Sequence, residues 1–251
     1  MKTKGCALLA LFIVSTASLL WPSSALAGDT MVDDSTLLNL PADAQAYFDN
    51  REAQFQKGLS SGSEIVPMMI DAPYKSLATT SHKQIRNDYC GPATMAVIDH
   101  FLRGSTKHWS QNEWAAYRYN GSPLWTDADG AFMWVMAMGL KEKTGKAYAY
   151  TSGNTTTQVY DRTQYGVDRG RPVAYGLKII QANWPNYNFD HAGHIVCGRG
   201  YDWRVGTIHL DDPYPENEYQ AGGGDTYGQK TYARGVVAGG VTVSTNKQVV
   251  Y

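Results

Sequence analysis

The hydrophobic pattern of the chain changes near residue 170. Before that point, apolar residues recur at helical spacing and capping patterns mark several helix starts. After it, β-branched and aromatic residues gather in short runs that Gly- and Asn-rich turns separate. A chain that places its helices first and its strands afterwards predicts an α+β domain with an antiparallel sheet.

The individual elements follow from the same patterns. The first predicted helix is opened by Pro41 and ended by Gly58 or Gly62, the second begins at Cys90, and the third begins at Gln111 after a Ser110 capping box. The fourth is capped by Thr126 or Asp127 and runs through residues 132–138 to Gly139. The fifth spans residues 154–167. The predicted strands are residues 65–70, 171–180, 194–197 and 204–210, with 236–237 and 241–243 completing the sheet.

The N-terminal residues have the composition of a secretory signal peptide. Lys2 and Lys4 form a basic start, residues 7–20 are apolar, and Ala25-Leu26-Ala27 is an A-x-A cleavage site. The apolar run is short for a membrane span and Pro22 interrupts it, so we expect export without a stable membrane anchor. The predicted organisation is a signal peptide (1–27), an N-terminal arm or pro-segment with one amphipathic helix (28–63), and a main domain (64–251).

The charge of the chain argues against one class of partner. Its 22 Lys and Arg residues oppose 23 Asp and Glu residues, and losing Lys2 and Lys4 with the signal peptide changes the formal charge from −1 to −3. Proteins that bind nucleic acid usually carry a clustered basic excess instead. We therefore expect no nucleic-acid partner. From the length of the chain we expect one sizeable core, and we expect the mature protein to be a monomer.

Cys90 begins one of the predicted helices. Pro92 suits the first turn, where its missing N–H has no intrahelical partner to lose, and Ala93 and Val97 continue the helical spacing. The unpaired N–H groups of a helix start favour the nucleophilic thiolate form of a cysteine. Gln84, six residues earlier, is placed to present an amide donor beside the sulfur. A buried structural cysteine fits the same stretch.

Cys197 offers a different interpretation of Cys90. These are the two cysteines that follow the predicted cleavage site, and in an exported protein such a pair most often forms a disulfide. A disulfide would exclude a nucleophilic role. Side-chain alternation along a strand places Val196 on the face of His194 and Cys197 on the opposite face. A bond to Cys90 is therefore awkward if His194 faces Cys90.

A cysteine nucleophile needs a base, and the base needs a group that orients it. His194 lies at the start of a predicted strand, with His191 close enough in sequence to compete. In a hairpin that turns near residues 202–204, Asp211 and Asp212 return alongside His194. Pro213 biases Asp212 toward an extended backbone.

These pieces together resemble the papain-like cysteine peptidases of the C39 type, in particular the secreted bacterial C39-like group. The resemblance spans roughly residues 65–245 and rests on four motifs in the family's order: Gln84 with Tyr89-Cys90-Gly91-Pro92-Ala93-Thr94, then Gly170-Arg171-Pro172-Val173, then residues 193–202 around His194, then Asp212-Pro213.

The resemblance implies a role for each of four residues. Cys90 would be the nucleophile, His194 the general base, Asp212 the orienting acid, and Gln84 an oxyanion donor together with the Cys90 backbone N–H. It also implies a papain-like fold, in which a helical half carries the cysteine and an antiparallel sheet carries the histidine and aspartate, with residues 64–251 as the peptidase domain. The aromatic loop at 181–190 and the extra N-terminal helix depart from the pattern and leave substrate preference open.

We predict thiol-dependent hydrolysis of a peptide or amide bond in a peptide or protein substrate. A cell-wall amidase or transglutaminase-like acyltransferase shares the Cys–His–Asp order, although those families commonly have a shorter Cys-to-His interval than the 104 positions here. A catalytically inactive binding protein on the same scaffold is another alternative. Its binding rim would consist of Trp184, Tyr187, Trp203 and Tyr214.

We predict neither a metal nor a cofactor. Asp190, His191 and His194 are ligand-type residues, but three such residues within five positions of an extended chain do not all point the same way. Gly222-Gly223-Gly224 lacks the strand-to-helix context of a nucleotide-binding loop.

Overall fold

The computed structural model describes residues 40–60 and 73–251. The predicted signal peptide and the predicted strand at 65–70 lie outside the described residues. Within those residues, seven strands form one antiparallel sheet, and two small hairpins lie apart from it. The predicted α+β class is confirmed.

The helices lie mainly before residue 170 and the longer strands after it. The helices are α1 (Ala42–Ser60), α2 (Cys90–Arg103), α3 (Gln111–Ala116), α4 (Met133–Thr144), α5 (Thr156–Asp168), α6 (Glu216–Tyr219) and α7 (Arg234–Val243). The strands are β1 (Tyr74–Ser76), β2 (Arg118–Tyr119), β3 (Ser122–Pro123), β4 (Trp125–Thr126), β5 (Gly130–Ala131), β6 (Tyr150–Thr151), β7 (Val173–Ile179), β8 (His191–Asp202), β9 (Thr207–Asp212), β10 (Gly228–Ala233) and β11 (Val249–Val250).

Strand β8 is the centre of the sheet. The strand order is β10-β9-β8-β7-β11-β6, and β1 pairs with the last residues of β8. His194 lies opposite Leu177 of β7, and Cys197 lies opposite Asp211 of β9. The predicted hairpin around residues 202–204 is therefore present, and it returns the end of β9 alongside the first half of β8.

Each face of β8 supplies a different hydrophobic core. Ile195 and Cys197 belong to the core of the helical half, where α2 and α4 pack. Val196 belongs to the second core, which α5 and α7 cover. Strand alternation separates Cys197 from Val196, as the sequence predicts, but Cys197 lies in the same core as Cys90, so the expectation that it faces away from Cys90 is wrong.

Three of the predicted helix starts agree closely with the structure. Helix α2 begins at Cys90, and α3 begins after Ser110, whose hydroxyl accepts the Glu113 N–H while Glu113 accepts the Ser110 N–H. Helix α5 begins after an equivalent capping box, in which Thr155 caps Gln158. The start of α3 was predictable because a capping box satisfies otherwise unpaired N–H groups within four residues of sequence, whereas the box at Thr155 was not predicted.

Both bounds of α4 differ from the prediction: it begins at Met133, not after Thr126 or Asp127, which lie in the β4–β5 hairpin, and it does not end at Gly139. Gly139 lies inside α4 and does not end it. Glycine is needed there for packing, since a Cβ at this position would lie only 3.0 Å from the rings of Trp114 and Tyr117. The left-handed Gly145 ends it instead, with φ of 70°. Helix α1 continues past Gly58 to Ser60, and the alternative stop at Gly62 lies outside the described residues.

The predicted strands at 236–237 and 241–243 are wrong, since both runs lie in α7. Val237, Ala238 and Val241 are buried at helical spacing against the sheet. Gly240 permits this approach, because a Cβ there would lie 2.9 Å from the Trp184 ring. Short Val-rich runs suit a strand equally well, so only the packing distinguishes the two.

Helix α1 packs into both cores. Ala44 and Phe48 belong to the helical core, and Phe55 belongs to the second core, where it contacts Tyr165 and Tyr251. The Asp43 carboxylate accepts the Tyr119 hydroxyl at its N-terminal end. These contacts lie along α4, α5 and the C-terminus.

Among the described residues, none of the helices combines the length and apolar character that crossing a bilayer requires.

Candidate active site

The start of α2 is fixed against the start of β8. Thr94, buried on the first turns of α2, donates its hydroxyl to the Ile195 carbonyl over 3.0 Å. Gly91 allows α2 to approach β5 closely, because a Cβ there would overlap the methyl group of Ala131, while it would meet Ile195 Cδ1 at an ordinary contact distance of 3.6 Å. The Thr94–Ile195 hydrogen bond therefore holds Cys90, at the start of α2, close to His194 on β8.

His194 has one ring nitrogen paired with a carboxylate. Its Nε2 donates to Asp212 Oδ1 over 2.9 Å, and both side chains are almost completely buried. Nδ1 is therefore the nitrogen left for the Cys90 thiol, which interacts with His194. Nδ1 has no well-aligned partner in the described residues, so this contact is long or off-axis, as catalytic hydrogen bonds often are before substrate binds.

The surroundings of His194 favour its charged form. Burial by itself lowers the pKa of His194, but the charge and hydrogen bond of Asp212, with the Cys90 thiol, raise the pKa well above its ordinary value. An imidazolium next to a sulfur stabilises the thiolate form of that sulfur. The arrangement can therefore hold a thiolate–imidazolium pair.

Asp212 accepts three hydrogen bonds in a fully buried position. Besides His194, the Tyr214 N–H donates to Oδ1 over 2.9 Å and the Tyr187 hydroxyl donates to Oδ2. A buried carboxylate is costly unless its oxygens are satisfied in this way. The three donors therefore keep Asp212 oriented toward the imidazole.

The neighbouring carboxyl group, Asp211, faces elsewhere. Its Oδ2 accepts the Thr79 hydroxyl over 2.8 Å, and its backbone lies opposite Cys197. Burial raises the pKa of Asp211. Strand alternation thus places only Asp212 of this pair beside His194.

His191 has a different acidic partner. Its Nε2 lies 2.7 Å from Glu216 Oε1, and the Glu216 carboxylate also accepts the N–H groups of Asn188, Phe189 and Gly224. Glu216 is fully buried and joins three segments of chain. The His191–Glu216 pair therefore holds the end of the 181–190 loop, which carries Tyr187.

The Asp190, His191 and His194 group does not converge. Asp190 Oδ1 accepts the Gln181 N–H over 2.7 Å, while each histidine pairs with its own carboxylate. Each of the three side chains therefore has a hydrogen-bond partner of its own.

The Gln84 side chain is engaged by the backbone of the segment that leads to Cys90. Its Nε2 donates to the carbonyls of Arg86 and Asn87, each over 2.8 Å, while Oε1 is buried without a partner in the described residues. The Gln84 N–H donates to the Pro213 carbonyl, which connects the segment before α2 to the residue after Asp212. The oxyanion role of Gln84 stays a prediction.

Both cysteines of the described residues are free thiols. Cys197 is completely buried within the helical core, whereas Cys90 retains 8% exposure. The structure therefore has no disulfide between Cys90 and Cys197.

Comparison with known proteins adds an independent observation. A family model described as the peptidase C39-like family matches residues 69–234, a range that includes Cys90, His194 and Asp212. The chain belongs to the peptidase C39-like family. Membership supports a cysteine peptidase, and no curated protein matches the chain.

Solved structures with a similar fold include cysteine peptidases. Xylellain, a cysteine protease from Xylella fastidiosa, is 11% identical, with a TM-score of 0.50 over 75% of this chain and 89% of its own. A putative C39-like peptidase from Bacillus anthracis is 13% identical, with a TM-score of 0.44 over 71% of this chain and 96% of its own. A prointerpain A fragment from Prevotella intermedia is 14% identical, with a TM-score of 0.40 over 84% of each chain. The predicted papain-like fold is confirmed.

The aromatic side chains expected at a binding rim of this C39-like protein are mostly internal. Trp184, Tyr187 and Tyr214 are 2%, 1% and 3% exposed. Trp203 is partly buried, stacks on Tyr201 at 4.5 Å between ring centroids, and donates to Gln164. The prediction of an exposed aromatic rim is wrong, because these rings fill space around His194 and in the second core.

Sequence reasoning missed two residues that support the site. Tyr187 was considered only as a rim residue, although its hydroxyl contacts Asp212, and Glu216 was not considered. The aromatic composition of the 181–190 loop and the position of Glu216 four residues after Asp212 were the available indications. Neither identifies a hydrogen-bond partner without the fold.

We predict that Tyr187→Phe lowers the free energy of unfolding by about 1.5–3 kcal/mol, because it removes a hydrogen bond to a buried carboxylate. Tyr232→Phe is the matched control. The Tyr232 hydroxyl is buried without a partner in the described residues, so its removal should cost nothing. Urea denaturation of both variants checks this. Equal losses would contradict the contact of Tyr187 with Asp212.

Proposed function

We propose that this protein is a thiol-dependent hydrolase that cleaves peptide or amide bonds in a peptide or protein substrate. The observation that supports the proposal is the position of Cys90, at a helix N-terminus and in contact with a buried histidine that a carboxylate orients. Nucleophile, base and orienting group are the three parts that covalent acyl transfer requires.

In the proposed mechanism, His194 accepts the thiol proton of Cys90 and becomes an imidazolium. The thiolate attacks the substrate carbonyl carbon, and a tetrahedral oxyanion forms. The imidazolium then protonates the leaving amine, which leaves an acyl group on the sulfur. His194 next takes a proton from water, and the resulting attack on the thioester releases the acid and regenerates the thiol.

Asp212 acts through His194. A hydrogen bond from Nε2 to the carboxylate leaves Nδ1 free to exchange a proton with the sulfur. The negative charge also stabilises the imidazolium that each half of the reaction forms. Tyr187 and the Tyr214 N–H keep the carboxylate in that position.

The proposed oxyanion site is at the start of α2. The first N–H groups of a helix have no intrahelical acceptor, and Tyr89 at the N-cap makes no side-chain hydrogen bond to them. The Cys90 N–H is therefore a candidate donor. Gln84 would be the second donor if a substrate oxygen takes over one of the hydrogens that Nε2 gives to Arg86 and Asn87. One such donor is typically worth about a hundredfold or more in rate.

We predict that Cys90→Ala lowers turnover of a responsive fluorogenic peptide by at least about 1,000-fold, because no other group replaces the nucleophile. Cys197→Ala removes the other free thiol of the described residues, in the core, and should retain activity. Assays on a peptide library and on purified cell-wall material compare the substrates. Amine release from the wall alone would favour the amidase, and undiminished hydrolysis by Cys90→Ala would refute the nucleophile assignment.

The proposed ion pair predicts a shift in the pH profile. The raised pKa of His194 keeps the imidazolium present above its ordinary range, so activity should fall only when the pH rises through that raised value. Asp212→Asn removes the negative charge that raises the pKa of His194. The burial that lowers the pKa of His194 remains. The alkaline limb of kcat/KM should move to lower pH, with a rate loss of about a hundredfold or more.

Asp211→Asn is the matched control for this profile. Asp211 is the adjacent buried carboxyl group and faces Thr79, so its replacement should leave the alkaline limb in place. An unchanged limb in Asp212→Asn would contradict the role of Asp212 in holding the His194 proton.

We further propose that the protein is exported, on the basis of the basic start, apolar run and Ala25-Leu26-Ala27 of the sequence. We expect the protein recovered outside the cytoplasm of a secreting bacterial host to begin at Gly28. N-terminal sequencing checks this, and a protein that retains Met1 would contradict it.

A further inference from the structure

Three histidines meet at the far end of α2 from Cys90. They are His82, before the helix, His100 in its last turn, and His108 in the loop that follows. His82 Nε2 lies 2.7 Å from His100 Nδ1, and the His100 and His108 rings stack with 4.5 Å between centroids. One ring nitrogen from each histidine lies within 4.8 Å of the other two.

The loop after α2 is folded back so that His108 reaches His100. Gly104 ends α2 with φ of 83°, in the left-handed region that favours glycine. Its carbonyl accepts the His108 N–H over 3.2 Å. Asp99, paired with Arg103, accepts the Trp109 N–H over 2.8 Å. His108 therefore lies between two backbone anchors.

The segment that carries His82 is also anchored on both sides. Thr79 donates to Asp211, and the Gln84 N–H donates to the Pro213 carbonyl over 2.9 Å. The Gln111 side chain donates to the Lys83 carbonyl over 2.7 Å. Such anchors fix the positions of donor atoms before a ligand binds, which lowers the entropic cost of binding.

The donor set suits a borderline-soft transition ion. Each neutral imidazole offers a nitrogen lone pair, and an all-imidazole set favours Zn²⁺, Cu²⁺ or Ni²⁺ over Mg²⁺ or Ca²⁺. A tetrahedral Zn²⁺ with bonds of about 2.0–2.1 Å needs nitrogens about 3.3 Å apart. Zinc binding must therefore widen the 2.7 Å distance between His82 Nε2 and His100 Nδ1 and shorten any ligand separation that approaches 4.8 Å. Small rotations of these half-buried side chains can make both changes.

We propose that His82, His100 and His108 form a zinc-binding site, with the fourth coordination position open to water. No ion is present in the structure. The site is distinct from the catalytic group, because His100 lies ten residues after Cys90 on the same helix, a rise of about 15 Å. A bound ion would join the segment before Gln84, the end of α2 and the 104–110 loop.

Zinc can also bind a reactive thiol, so the experiment uses the full chain with Cys90→Ala. We expect isothermal titration with ZnCl₂ to show one equivalent bound with a micromolar or tighter Kd, and zinc to raise Tm. Adding His108→Gln should weaken binding by at least about 100-fold and abolish the Tm rise, since one ligand is lost. His82→Gln should do the same.

His209→Gln is the matched control in the same Cys90→Ala background. His209 is the one remaining histidine outside the candidate sites and lies on β9, so zinc binding should not change. Co²⁺ should give the visible absorption of a four-coordinate site only where His82, His100 and His108 are all present.

Three results would overturn the proposal. They are the absence of binding to the Cys90→Ala chain, equal affinity after His108→Gln, and loss of binding in His209→Gln. Circular dichroism and the metal-free Tm establish that each variant is folded. Zinc binding by the wild type that disappears with Cys90→Ala would place the ion at the thiol and would likewise refute the site. None of these outcomes depends on the proposed hydrolase function.

Discussion

The contact between α2 and β8 is the constraint on which the rest of the site depends. A single buried hydrogen bond, from the Thr94 hydroxyl to the Ile195 carbonyl, joins the element that carries the thiol to the element that carries the imidazole. Beside it, Gly91 lets α2 pack against β5, because a larger residue there would collide with Ala131. Packing of α2 and α4 on one face of β8, and of α5 and α7 on the other, then fixes that strand from both sides.

Local alternation turns neighbouring residues into groups with different tasks. Asp212 orients His194, whereas Asp211 accepts a hydroxyl from Thr79. His191 pairs with Glu216 and holds a loop, whereas His194 keeps one nitrogen for the thiol. The charge that Asp212 places beside His194 outweighs the burial that would otherwise lower the pKa of this histidine. The first residues of β8 therefore carry two His–carboxylate pairs with different tasks.

Sequence patterns predicted what local chemistry determines, and missed what only packing determines. The starts of α2 and α3 were predictable from Pro92 and from the Ser110 capping box, and the predicted start of α5 lies within two residues of the observed one. The strand assignment of α7 failed because a short Val-rich run has no preferred partner until the sheet presents one. For the site, the order of Cys90, His194 and Asp212 was sufficient to group them. Tyr187, Glu216 and the meeting of His82, His100 and His108 depend on contacts between distant segments, which no local period encodes.

The central position of β8 has a consequence for biosynthesis. Cys90 leaves the ribosome 104 residues before His194, and Asp212 follows only after the turn beyond β8. Contacts this far apart form late, because closing such a loop costs chain entropy before any packing compensates for it. An incomplete chain accordingly carries an unassisted thiol, without its imidazole or carboxylate. In the proposed hydrolase, competence for chemistry therefore requires that the whole sheet has assembled.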